Sequence, residues 1–176
     1  MITTERNYPP IVLRPGIIGD GTEVALAASS LGLYTLNSKG VITVYLQALS
    51  TQNLAVISEP TQSFSSITAW TGSAMLYATN SSNVHVYQYN STATAGQRWK
   101  DVSGGLPASS VAVSLDGAVF AISRRGARTK KDEIYKLLSP SALPGNVMIE
   151  PGNIKAISLS MTSAGLLVAQ CQRNLL

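Results

Sequence analysis

The chain has 176 residues, of which 45% are apolar and only 12% charged, with a formal net charge of +4. That is one domain's worth of sequence, read here as a single unit over residues 1–176. The composition excludes an ordinary disordered chain, which is poor in apolar residues and rich in charge, and argues against a helical bundle, whose wet faces need Glu, Lys and Arg. Ser, Thr, Asn, Gln and Gly fill the polar positions instead, as they do in β-hairpins and their turns.

In chain order, the first element is an apolar stretch within residues 9–16, Ile11-Val12-Leu13, running into Pro15-Gly16. It looks like Val147-Met148-Ile149 running into Pro151-Gly152, and both read as fourth strands of a repeated unit. Between them the chain repeats with a period of about 43 residues. Strand starts at Val24, Ile67, Val111 and Ile154 carry this spacing, as do the pairs Leu33-Tyr34, Leu76-Tyr77 and Val119-Phe120. A third marker, Val44-Tyr45, Val86-Tyr87 and Ile134-Tyr135, keeps it except for extra length in the last interval, which holds a basic loop.

Each unit reads as a meander of four short strands. The second unit shows it best: Ser66–Trp70, a Gly turn, Met75–Ala78, a polar turn at Asn80–Asn83, an alternating third strand and Trp99–Val102. On that third strand Val84, Val86 and Gln88 share one face, while His85, Tyr87 and Tyr89 share the other. The units are about 22–66, 67–110, 111–153 and a shorter 154–176, with residues 9–16 as a closing strand. Repeated four-stranded antiparallel meanders of this period predict an all-β fold, a small or partial β-propeller. The ring either closes within one chain or is completed by further chains.

Trp99-Lys100-Asp101-Val102 and Gly105-Leu106, at the end of the second unit, lead into the third, with the strand Val111–Val113, Asp116-Gly117, Phe120 and Ile134-Tyr135. This resembles the tectonin-type blade. The second unit, with Trp70, Tyr77, Tyr87, Arg98 and Trp99, is similar to a blade of the fungal fucose-binding lectins. The resemblance implies a propeller that binds sugar in pockets between blades. The fucose-lectin blade also pairs a second-strand Arg with a third-strand Glu; here Leu33 and Met75-Leu76 stand on the second strand, and Thr43, His85 and Glu133 on the third. Sugar binding by this chain would therefore use other residues or a single pocket.

Sugar recognition needs an aromatic face for the ring's C–H side and polar groups for its hydroxyls. Trp70, Tyr77, Tyr87, Arg98 and Trp99 are the candidates, and packing between sheets is the competing reading of the same rings. A second candidate is the basic cluster Arg124, Arg125, Arg128, Lys130 and Lys131, read as an anion patch or as a solvated loop tip. No aromatic residue is interleaved with it, which argues against nucleic acid.

His85 is the only histidine and Cys171 the only cysteine, so neither a zinc set nor an internal disulfide is expected. No G-x-S-x-G elbow, phosphate loop or placed carboxylate pair points to catalysis. The N-terminus lacks a signal-peptide pattern, and no apolar run approaches the roughly 18 residues of a membrane helix. The compartment stays open. The expectation is a non-enzymatic, cofactor-free, lectin-like module with a glycan partner. The alternative is an assembly subunit that pairs with its own copies or another protein chain, and a propeller hydrolase ranks third.

Overall fold

The computed structural model describes residues 22–46, 54–123, 132–137, 147–154, 156–161 and 167–171. Among them there are fourteen β-strands and no helix. The first sheet holds β1 (Glu23–Ala28), β2 (Gly32–Asn37), β3 (Ile42–Leu46) and β4 (Leu54–Val56). The second holds β5 (Phe64–Ala69), β6 (Leu76–Asn80), β7 (Val86–Tyr89) and β8 (Trp99–Asp101). The third holds β9 (Ser110–Val113), β10 (Val119–Ser123), β11 (Asp132–Leu137) and β12 (Val147–Ile154). The last is a pair, β13 (Ala156–Met161) and β14 (Leu167–Cys171). Every pairing is antiparallel between consecutive strands, so each sheet is an open meander. The first strands pack in succession, β1 on β5, β5 on β9 and β9 on β13.

Period-two alternation explains how the inner sheets bury both faces. On β6, Leu76 and Ala78 enter the core shared with the first sheet, whereas Tyr77 enters the core shared with the third. On β10, Val119 and Ala121 face the second sheet, and Phe120 and Ile122 face Leu159, Met161 and Leu167 of the last pair. Strands that are apolar on both faces lose the polar–apolar alternation of a half-exposed sheet. This is why β9 and β10 read as near-continuous apolar runs.

The repeat is also visible in its turns. The Asn37 side-chain oxygen accepts the amides of Lys39 and Val41, and the Asn80 oxygen accepts those of Ser82 and Asn83. Both are side-chain-capped turns of the type Asn favours. Three or four residues later each turn leans on the next sheet. The Gly40 carbonyl accepts the Phe64 amide at 3.0 Å, and the Val84 carbonyl accepts the Ala108 amide at 2.6 Å. Both residues take the left-handed backbone, with φ of 78° at Gly40 and 55° at Val84. Glycine does so freely, whereas a β-branched residue there is strained by about 1–3 kcal/mol.

Two boundaries differ from the sequence expectation. β5 begins at Phe64, so the division between residues 66 and 67 falls inside a strand. β12 does not stop at Pro151-Gly152 but continues to Ile154, which pairs with Asp132 instead of opening the next unit. Proline is tolerated because β12 lies at a sheet edge, where a missing N–H breaks no second ladder, and the β11–β12 register is irregular there. The expected closing strand at 9–16 lies outside the described residues.

Candidate functional site

The second and third sheets diverge to leave a cleft of about 460 Å³. The second sheet lines it with Trp70, Met75, Tyr77 and Gln88, and the third with the Asp116-Gly117 turn, Val119, Lys136 and Leu137. Strand register places the polar groups. Thr68, Tyr77, Gln88 and Lys100 are opposite one another on β5, β6, β7 and β8, so they form one cross-strand row on the face that meets the third sheet.

Trp70 bridges the two sheets. Its indole N–H donates to the Leu115 carbonyl at 2.8 Å. A Cβ on Gly117 would lie 3.2 Å from its benzo ring, so the ring rests against the turn backbone. The turn itself is closed by hydrogen bonds. The Asp116 carboxylate accepts the Ser114 hydroxyl and the Ala118 amide, and the Gly117 amide donates to the Ser114 carbonyl. These hydrogen bonds, the Ser114 hydroxyl first, hold the Asp116 carboxyl below its usual pKa, and the positive charge of Lys136 adds to the effect.

Tyr77 and Gln88 are poorly satisfied by comparison. Tyr77 is nearly buried, and its hydroxyl donates to the Met75 sulfur at 3.5 Å. The Gln88 amide donates to the same sulfur at 3.4 Å and to the Tyr77 oxygen at 3.4 Å. These bonds are long, and a thioether is a weak acceptor, so both donors point into the cleft without a strong partner. Burial pushes the Tyr77 hydroxyl pKa up.

The five sequence candidates do not share one pocket. Trp70 and Tyr77 line this cleft, whereas Tyr87 and Trp99 face the first sheet. Trp99 is buried, donates its indole N–H to the Ile57 carbonyl at 2.9 Å, and packs on Phe64 and Tyr89 with ring centroids 4.5 and 5.1 Å away. The Tyr87 hydroxyl accepts the Asn83 side-chain amide at 2.8 Å, and its ring meets Phe64 edge-on. Arg98 precedes β8, half-buried, with its Nε enclosed and unbonded among the described residues. The basic cluster at Arg124, Arg125, Arg128, Lys130 and Lys131 lies outside the described residues. Gln88, Asp116 and Lys136 join the cleft without having been singled out, because only strand register reveals their neighbours.

His85 forms a separate polar site with Asp101, Nδ1 to Oδ2 at 2.6 Å. The Ser103 hydroxyl and amide both donate to the other carboxylate oxygen, at 2.7 and 2.8 Å. The hydroxyl thus addresses the carboxylate and not the imidazole, which is not the nucleophile–base contact a triad uses. At Asp101 burial raises the pKa, but the bonds from Ser103 and His85 together outweigh it and the net direction is down. A carboxyl lowered on folding stabilises the fold above its ordinary pKa, and that contribution is lost as pH falls through the folded value. Urea midpoints measured between about pH 6 and pH 2 are expected to fall less steeply for Asp101→Asn than for the parent, with the two curves converging at the acid end.

Among the described residues no group of three or more His, Cys, Asp or Glu is placed to hold a metal ion. No helix there is long and apolar enough to cross a membrane. No protein-family model matches the chain, and no curated protein matches it at a significant level.

Proposed function

We propose that this chain is a carbohydrate-binding, non-enzymatic module of β-propeller type, with its sugar site in the cleft between the second and third sheets. The observation that carries this reading is the cleft's lining. It combines a tryptophan ring, a tyrosine hydroxyl and a glutamine amide, the last two lacking strong acceptors of their own. A sugar offers apolar C–H faces to the ring and oxygens to the donors. Consecutive four-stranded meanders whose first strands pack in succession support the propeller reading, as a small ring or an arc of one.

The test is a glycan array read with labelled protein. Binding to at least one glycan class is expected, and its loss in Gln88→Ala and in Trp70→Ala. Gln88 is a partly exposed strand residue, so Gln88→Ala should leave the thermal midpoint within a few degrees of the parent. A blank array from folded protein would overturn the sugar reading.

One observation favours a second reading, assembly. On the face of the first sheet turned away from the second, Leu26, Thr35, Thr43 and Val56 form a cross-strand row in which Thr35 is buried and Thr43 half-buried, and Val24 stands on the same face of β1. Val24 is 62% exposed, Leu26 55% and Val56 59%. The corresponding row of the second sheet, Ile67, Ala78, Tyr87 and Asp101, faces a neighbouring sheet. Light scattering showing a particle larger than one chain, reduced to a monomer by Leu26→Lys, would support assembly.

A further inference from the structure

The polar groups of the cleft are unbalanced in a way that specifies the ligand beyond its being a sugar. In the cross-strand row, Tyr77 presents an O–H whose acceptor is the weak Met75 sulfur, and Gln88 an N–H₂ whose bonds to that sulfur and to the Tyr77 oxygen are both long, at 3.4 Å. Lys100, exposed, stands next to Gln88 in the same row and on the same face, at the outer edge of the sheet. Lys136 lines the cleft from the third sheet and lies near enough to Asp116 for its charge to be felt there. Neither ammonium group is within ion-pair distance of a carboxylate among the described residues. The one carboxylate lining the cleft, Asp116, engages one oxygen with the Ser114 hydroxyl and the Ala118 amide and keeps the other as an acceptor.

The lining therefore balances Lys136 against Asp116, and Lys100 at its edge adds a second positive charge. A neutral sugar hydroxyl can use these donors and acceptors but gains nothing from the second lysine. A carboxylate only accepts, and gains most from charge-assisted bonds to donors of this kind. Resting on the sugar reading above, we infer that the cleft takes an acidic saccharide, a uronic or sialic acid. Its carboxylate lies toward the lysines and its ring lies on the Trp70 side. Tyr77 and Gln88 then exchange a sulfur for an oxygen acceptor.

The experiment is titration calorimetry with four probes: a galacturonic acid trimer, its neutral galactose counterpart, sialyllactose and lactose. The expected result is at least tenfold tighter binding of one acidic probe than of its neutral partner, an advantage that shrinks as salt rises. The double variant Lys100→Gln/Lys136→Gln should remove most of that advantage. Which acidic probe binds distinguishes uronic from sialic acid. Equal binding of acidic and neutral probes would overturn the acidic inference and leave the sugar reading standing. No binding of any probe, together with a blank array, would remove the sugar reading itself. Acidic preference that survives the double variant but disappears in Arg124→Ala/Arg125→Ala/Arg128→Ala would also overturn the inference, because the anion would then be held by the basic cluster. Unchanged thermal midpoints in both multiple variants confirm that each effect is local.

Discussion

Replacing Gly40 with alanine is expected to destabilise the protein by at least about 2 kcal/mol, read as a lower urea midpoint with an unchanged slope. Two effects combine. The residue has φ of +78°, where a Cβ costs roughly 1–2 kcal/mol by itself. The added Cβ would also lie 2.8 Å from the Phe64 amide nitrogen and 3.0 Å from the Phe64 carbonyl oxygen. Those are backbone atoms of the first strand of the next sheet, and the Gly40 carbonyl accepts that same Phe64 amide. Relief would require the two sheets to separate at a joint where Phe64 anchors the core with Trp99 and Tyr87. The Ser63 hydroxyl, which also meets this Cβ, can rotate away. Ser63→Ala should therefore fail to rescue Gly40→Ala. Gly96 separates the two effects: it has φ of +84° but nothing within 4 Å of its Cβ position. Gly96→Ala should carry the backbone cost alone, so the two variants must differ clearly. Equal losses would mean that the turn does not bear on the second sheet.

This joint shows what the sequence discloses and what it hides. The 43-residue spacing and the turn residues Asn37 and Asn80 were legible, because capped turns draw on few residue types and leave a mark in composition. The left-handed position that follows them suits a glycine, as at Gly40, but nothing in the sequence marks it at Val84, where the fold overrides local preference and holds a valine at φ of 55°. Strand content was likewise visible, but the end of β12 was not. Proline reads as a terminator unless the strand is known to lie at an edge.

The candidate site was half legible for a related reason. Nearness in sequence grouped Trp70 and Tyr77 with Tyr87, Arg98 and Trp99. A strand sends neighbouring side chains to opposite faces, and only pairing register tells which faces coincide. Tyr77 is opposite Gln88, and Tyr87 is opposite Ala78, so the two tyrosines face different sheets. The same register brings Gln88 and Lys100 into line with Tyr77, a relation no spacing in the chain discloses. The Asp116-Gly117 pair marks a turn through its backbone geometry. It is also the surface on which Trp70 rests.

Trp99 supplies the other large effect, and it decides which of the two tryptophans belongs to the site. Trp99→Ala is expected to cost about 3–5 kcal/mol from the lost ring volume. It also strips the Ile57 carbonyl of the indole donor, a further penalty of about 1–3 kcal/mol if water cannot replace it. Losses of that size approach the whole stability of an ordinary domain, so the variant should unfold in mild urea. It would lose any ligand for that reason alone and says nothing about a pocket. Trp99→Phe is the informative substitution. It keeps a ring beside Phe64 and Tyr89 but removes the indole N–H, so it should be less stable than the parent yet folded at room temperature. Because Trp99 packs in the core on the first-sheet side, folded Trp99→Phe should bind glycan as the parent does, while Trp70→Ala should not. If instead folded Trp99→Phe lost binding and Trp70→Ala retained it, the sugar would sit between the first and second sheets. The polar row of Tyr77, Gln88 and Lys100 would then have no part in it.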